Sequence, residues 1–257
     1  MLVKKRKFCP VIPDWEFNSG FDPECIVQRV KDEKWVNYRG ENAQPSPCVT
    51  AEDVAKKNVK FDLENLRFRD PNNFIPGNLH SCLHEWEKID APDNVLEWLK
   101  EGVDVKKFFK PFKGNFKGKS YSSDVPPSVY FPNSTSCAQF KDYIVKTLYE
   151  RLENGSLTLI GKVGFCEPPH LVLPLTVEPA KPRLCHDERF LNLWVKDCPF
   201  SLDTLKDVPR LVQRGMFMSS MDDKSGYDHI YLSEQSKKYF GLQFGGWFMI
   251  FNTLPFG

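Results

Sequence analysis

The chain has 257 residues, with 35 lysines and arginines against 34 aspartates and glutamates, so its formal net charge is only +1. No overall field draws such a chain to nucleic acid, and binding of that kind would rest on local patches. Apolar residues make up 41% and aromatic residues 14%, enough for a sizeable core and too much for a disordered chain.

Eight cysteines are scattered without a C-x-x-C pair, which fails zinc-site spacing. No apolar run reaches the roughly 18 residues of a membrane span, so no membrane partner is expected. The start MLVKKRKF lacks the apolar core of a secretion signal. These features predict an intracellular protein, cytoplasmic or nuclear, with reduced and mostly buried thiols. The basic run from Lys4 to Lys7 reads as a nuclear signal, a phosphate-contacting arm or plain solvated charge.

Up to about residue 70 the chain is broken by prolines and polar residues, and no period persists. Residues 52–67 have loose helical spacing, with Val54, Phe61, Leu63 and Leu66 as anchors. Residues 94–101 read as a short helix that Asp93 caps and Gly102 ends.

The next stretch, residues 106–119, interleaves six lysines (Lys106, Lys107, Lys110, Lys113, Lys117 and Lys119) with four phenylalanines and two glycines. Two readings stand side by side. In the first, the lysines contact phosphates while the rings stack on bases. In the second, the stretch is a linker that its phenylalanines pin to the domain. The fragment Gly118-Lys119-Ser120 is not a phosphate-binding loop, because Lys113 stands where that motif needs its first glycine.

Residues 134–154 carry the clearest helical pattern. Ser134 or Thr135 can cap it, Phe140, Ile144, Leu148 and Leu152 recur every four residues, and Gly155 ends it. Residues 171–177 read as a short buried strand, with Pro174 marking an edge or a bulge. A helix is expected over 203–214, ended by Gly215, and a central strand over 216–221. Apolar runs at 239–244 and 247–251 flank Gly245-Gly246 and read as a hairpin. The order predicts an α+β fold with an antiparallel sheet, and no internal repeat is visible.

Two segments carry the chemistry. In MSSMDDKSGY, residues 218–227, an apolar run ends on Asp222 and a turn then presents Tyr227. A strand-end carboxylate beside a turn can hold magnesium, a hard ion that takes oxygen ligands. Asp223 follows at once, and neighbours on a strand point to opposite faces, so one of the two can face a given site. The second segment, KPRLCHDERFLN at residues 181–192, offers Arg183 and Arg189 as bidentate phosphate ligands. In it Asp187 can orient an arginine and Asn192 can pin a turn. Taken singly, each of these charges also fits a surface salt-bridge network or a capped turn.

The ordered set K-x-R-x-x-x-D-x-R-x-L-N, then D-x-x-S-G-Y after an apolar strand, then a hairpin ending in L-P-F-G, resembles a retroelement reverse transcriptase. In its wording from Pro168 to Asp187 it is most similar to the DIRS-type retrotransposons, which carry a tyrosine recombinase. The resemblance covers residues 135–257 and implies right-hand polymerase fingers with the first half of a palm. It leaves residues 86–134 as a helix with the Lys/Phe-rich linker, and residues 1–85 as an ill-defined N-terminal extension.

By this resemblance Asp222 is the first catalytic aspartate and a ligand of both magnesium ions, and the main-chain carbonyl of Asp223 can reach a metal. Tyr227 is the gate that excludes a ribose 2′-hydroxyl. Arg183 grips the incoming triphosphate with Lys181 as helper, and Asp187, Arg189 and Asn192 support that strand. Phe256 faces the nucleotide sugar, and Gly257 opens the segment that supports the template. The implied partners are a deoxynucleoside triphosphate and an RNA or DNA template-primer, and the implied reaction is two-metal nucleotidyl transfer to a primer 3′-hydroxyl.

Two departures bear on activity. Asp223 stands where the family has an apolar residue. The family's second carboxylate pair, in a Y-x-D-D hairpin beyond L-P-x-G, does not occur in the 257 residues. Residues 1–257 alone are therefore expected not to extend a primer, and to leave a sheet edge that further strands would cover. The alternatives are a non-catalytic nucleic-acid-binding or interaction remnant of a retroelement, and an unrelated α+β domain.

Overall fold

The computed structural model describes residues 10–26, 76–77, 79–80, 83–199, 201, 204, 206, 208–212, 214–217 and 225–257. The helix expected over 52–67 and the basic start lie outside these residues, as do Asp222 and Asp223.

A one-turn helix, Asp14–Phe17, opens the described chain. The helix expected over 94–101 is Asp93–Glu101, with Leu99 buried. Its N-cap is Pro92 rather than Asp93. Asp93 stands instead in the first turn, where its charge meets the positive end of the helix. Gly102 ends the helix at φ 82°.

Residues 106–119 are not an irregular linker. The Asp104 carboxylate accepts from the Lys106 amide at 3.1 Å and starts the 3-10 helix Val105–Phe108. Strands β1 (Phe112–Phe116) and β2 (Lys119–Ser123) then pair antiparallel. Their two-residue turn, Lys117-Gly118, has φ of 48° and 78°. Two positive φ values give the turn whose twist matches that of the flanking strands. The phenylalanines pack inside the protein: Phe109 on Tyr239, Phe112 on Trp194, and Phe116 on Phe131 and Phe190.

β3 (Val129–Tyr130) follows. The helix expected over 134–154 forms in two parts, the 3-10 turns Thr135–Phe140 and the α-helix Lys141–Glu153. Ser134 accepts from the Ser136 amide at 3.3 Å, and Gly155 ends the element at φ 79°. Ile144 and Leu148 are fully buried, and Phe140 and Leu152 pack on the same core.

β4 (Leu157–Lys162) is followed by β5 (Leu171–Val172), β6 (Leu175–Glu178) and β7 (Arg183–His186). The single strand expected over 171–177 is thus two strands in two sheets. Pro174 has no amide to offer a ladder, so the chain leaves the first sheet there. The Pro174 carbonyl accepts from the Asp187 amide at 2.8 Å.

β8 (Gly241–Phe244) and β9 (Trp247–Phe251) form the expected hairpin around Gly245-Gly246, with φ of 58° and 87°. The central sheet has the order β3-β5-β8-β9-β4. β3, β5 and β8 are parallel, while β9 is antiparallel to both β8 and β4. The fold is α+β, with a mixed central sheet and two antiparallel hairpins, β1-β2 and β6-β7, beside it.

Of the helix expected over 203–214, one turn is described, Val208–Leu211. Met216 and Phe217, expected in a central strand, are exposed and outside any strand. Among the described residues no helix is long and apolar enough to cross a membrane.

Residues 10–26 belong to the main core. Trp15 and Phe21 pack on Phe244 with ring centroids 6.0 and 5.5 Å away. The Glu16 side chain is wholly buried; its oxygens accept from Asn133 at 3.1 Å, Gln243 at 3.1 Å and the Gly245 amide at 3.4 Å.

Candidate nucleotide-facing site

Arg183 begins β7, opposite Glu178, just after a turn rich in proline. The turn carries Lys181 exposed to solvent. The Arg183 guanidinium lies 5.6 Å from the centre of the Phe256 ring. Phe256 is fixed through its backbone, because its carbonyl accepts from the His186 amide at 2.8 Å. Gly257 continues that contact so closely that a Cβ there would collide with the His186 carbonyl.

Tyr227 rides on the 3-10 turn Gly226–His229, which follows Ser225 in a left-handed conformation at φ 56°. Its ring centroid stands 5.9 Å from that of Phe256, at an interplanar angle of 58°. Arg183, Phe256 and Tyr227 therefore form a row of guanidinium, ring and ring on the surface, and all three are exposed. A guanidinium presents permanent charge and a planar fork of donors, the geometry that suits phosphate. Two solvent-facing rings beside it offer apolar surface to a sugar or a base.

The bonds between Asp187 and Arg189 and that of the Asn192 amide are local. Arg189 donates to both oxygens of Asp187, at 2.8 and 2.7 Å, and the Arg189 amide adds a bond at 3.2 Å. These bonds to Arg189 hold the Asp187 carboxyl below the usual carboxylate range. Arg189 thus braces its own loop. Asn192 is exposed on the 3-10 turn Leu191–Leu193, and it is its amide that holds the turn, donating to the Glu188 carbonyl at 2.9 Å.

The six lysines divide. Lys106 meets Gln235, Lys107 meets Glu97, and Lys110 lies 3.5 Å from Asp197. Lys113 is exposed on β1. Lys117 sits over the Phe131 ring at 5.0 Å and Lys119 over Tyr121 at 5.6 Å, so both keep their ammonium groups at the surface of the β1-β2 hairpin.

Sequence reasoning missed three residues beneath the row. The Arg151 guanidinium donates to Asp228 Oδ1 at 2.7 Å, with both side chains largely buried. The Thr253 hydroxyl donates to the same oxygen at 3.3 Å. Asp228 directly follows Tyr227, but nothing local marks it as buried, since its cation lies 77 residues upstream. His186 was also passed over. Its Nε2 lies 3.0 Å from the Gly241 carbonyl, and its Nδ1 3.4 Å from Glu188.

Asp222 and Asp223 lie outside the described residues. Among the described residues no three of His, Cys, Asp and Glu stand together as a metal cluster.

No protein-family model matches the chain, and no curated protein does. Among solved structures it is similar to a foamy viral protease-reverse transcriptase in complex with double-stranded DNA, at 16% identity and a TM-score of 0.39. The likeness covers 79% of this chain and 37% of that one, so the protein spans little more than a third of that chain's length.

Proposed function

We propose that this chain carries the nucleotide-facing surface of an RNA-directed DNA polymerase of retroelement type, worded most like the DIRS group. The observation that supports the reading is the meeting of Arg183, Phe256 and Tyr227, with successive separations of 5.6 and 5.9 Å. They come from three motifs far apart in sequence, and the family resemblance gives all three to one incoming nucleotide. In this reading Arg183 takes the triphosphate with help from Lys181, Phe256 meets the sugar, and Tyr227 leaves no room for a 2′-hydroxyl. Asp187, Arg189 and Asn192 brace the Arg183 strand, and Gly257 begins the template support.

Asp222 would hold magnesium and the Asp223 carbonyl would assist, since carboxylate and carbonyl oxygens are the hard donors that this ion takes. The metal would supply charge stabilisation for phosphoryl transfer. Template and primer would follow the basic hairpin that bears Lys113, Lys117 and Lys119.

The test is nucleotide binding by the chain with magnesium and a template-primer duplex, read by calorimetry. Losing a charge-assisted contact costs about 1.5–3 kcal/mol, so Arg183→Ala should weaken deoxynucleoside triphosphate binding by roughly ten- to a hundredfold. Tyr227→Ala should narrow the preference for deoxy- over ribonucleotides. Unchanged affinity in Arg183→Ala would overturn the reading. Oligonucleotide binding with no nucleotide preference would mark a non-catalytic nucleic-acid-binding protein.

A further inference from the structure

Asp228 is a buried carboxylate next in sequence to the exposed Tyr227, and it joins three elements. Arg151 reaches it from the last turn of the helix Lys141–Glu153, at 2.7 Å. Thr253 reaches it at 3.3 Å from just beyond β9, three residues before Phe256. Its own backbone closes the turn under Tyr227, the amide donating to Ser225 at 2.8 Å and the carbonyl accepting from Gly77 at 2.9 Å. The Arg151 guanidinium also lies over the Phe251 ring at 5.7 Å, which fixes it against β9. Further along, Leu254 donates to Ile230 at 3.0 Å, so the segment bearing Phe256 and the turn bearing Tyr227 run side by side.

We infer that Asp228, held by Arg151 and Thr253, is a positioning residue that fixes the Tyr227 ring against Phe256 and so sets the deoxy-over-ribonucleotide preference of the site. The preference rests on the proposed polymerase reading; the positioning does not. The physical ground is direction. A buried ion pair contributes little net stability against an apolar pair of the same shape, but it has a defined geometry and breaking it leaves an uncompensated charge. An apolar contact under Tyr227 would let the turn slide, whereas a guanidinium and a hydroxyl that converge on one oxygen do not. A gate that acts by contact needs that fixity, because small displacements of a contacting group have large effects on selection.

The experiment places 3-fluorotyrosine at position 227 and reads its 19F resonance in the full chain, with a second label at Tyr149 as a fold control. In the unmodified protein the Phe256 ring should displace the 227 resonance, and Phe256→Leu should identify that displacement. Asp228→Asn and Thr253→Val should both move the 227 resonance toward the value of free fluorotyrosine while the 149 resonance stays in place. Where Asp228→Asn fails to fold, Thr253→Val decides, since it removes one hydroxyl and keeps the shape. A 227 resonance unchanged in a folded variant overturns the inference.

The second arm measures binding of deoxy- and ribonucleoside triphosphates to the same variants. The ratio should fall by up to about a hundredfold, the scale that a misplacement of about 1 Å can cost. A shifted resonance with an unchanged ratio would remove the selectivity role. Failure of the unmodified chain to bind either nucleotide would sink the polymerase reading, and the resonance would still decide the positioning.

Discussion

Two side-chain amides and one backbone amide meet the Glu16 carboxylate, and burial raises its pKa above the ordinary 4.5. Below 4.5 the group is protonated in both folded and unfolded chains. Between 4.5 and the raised value the folded protein binds more protons than the unfolded one, so stability falls as pH rises. Thermal melts from pH 4.5 upward should therefore show a falling midpoint, and Glu16→Gln should flatten that fall; parallel profiles would exclude Glu16 as its source. Cys137 gives a second expectation. Burial pushes its thiol up to about 11 and leaves it no exposed surface. In the native protein it should resist alkylation while the exposed Cys25 and Cys198 react, as read by mass spectrometry. None of the Glu16 environment was legible in the sequence. Its segment has no period, and its amide partners lie 117 and 227 residues away. Short ordered motifs single out Arg183, Tyr227 and Phe256, which lie side by side in the structure, while no such mark points to Asp228.

The elements that could be read were those whose signal is local. Four-residue spacing gave the helix through Ile144 and Leu148, and two adjacent glycines gave the β8-β9 turn, where both φ values are positive. The β1-β2 hairpin escaped because Lys117 takes the positive φ that Asn or Asp more often adopts there. Its lysines can be tested as an element. Each phosphate contact to a single strand contributes roughly 0.7 to the slope of log affinity against log salt. Replacing Lys113, Lys117 and Lys119 with alanine should reduce that slope by about 2 for a single-stranded oligonucleotide, at roughly 0.7 for each lysine. Replacing Lys106, Lys107 and Lys110, which meet Gln235, Glu97 and Asp197, should change it little. An unchanged slope after replacing Lys113, Lys117 and Lys119 would remove the hairpin from the proposed binding surface. The parallel join of β5 to β8 depends on Gly241, where a Cβ would collide with the Leu171 carbonyl and with Pro169. Gly241→Ala should cost about 1–3 kcal/mol in a urea melt.

At the scale of the whole molecule, the larger of two core clusters among the described residues runs from the N-terminal segment through the central sheet to the aromatic group around Phe190 and Trp194. Phe21 joins it beside Tyr149 and Phe244, so Phe21→Ala should cost about 3–5 kcal/mol by denaturant melt. A value near zero would show that residues 10–26 are accessory to the fold. The contacts that join residues 10–26 to this core span more than a hundred residues of sequence, a distance that local composition does not record. The latch between Glu16 and Gln243 also has a consequence in time. Their 227-residue separation makes it a distant closure for the chain to find, and non-local contacts of this kind form late. During synthesis Trp15 and Phe21 emerge long before Phe244, the ring on which both pack. Through that interval these two rings lack their Phe244 partner, and the nascent chain carries aromatic surface for a chaperone to cover.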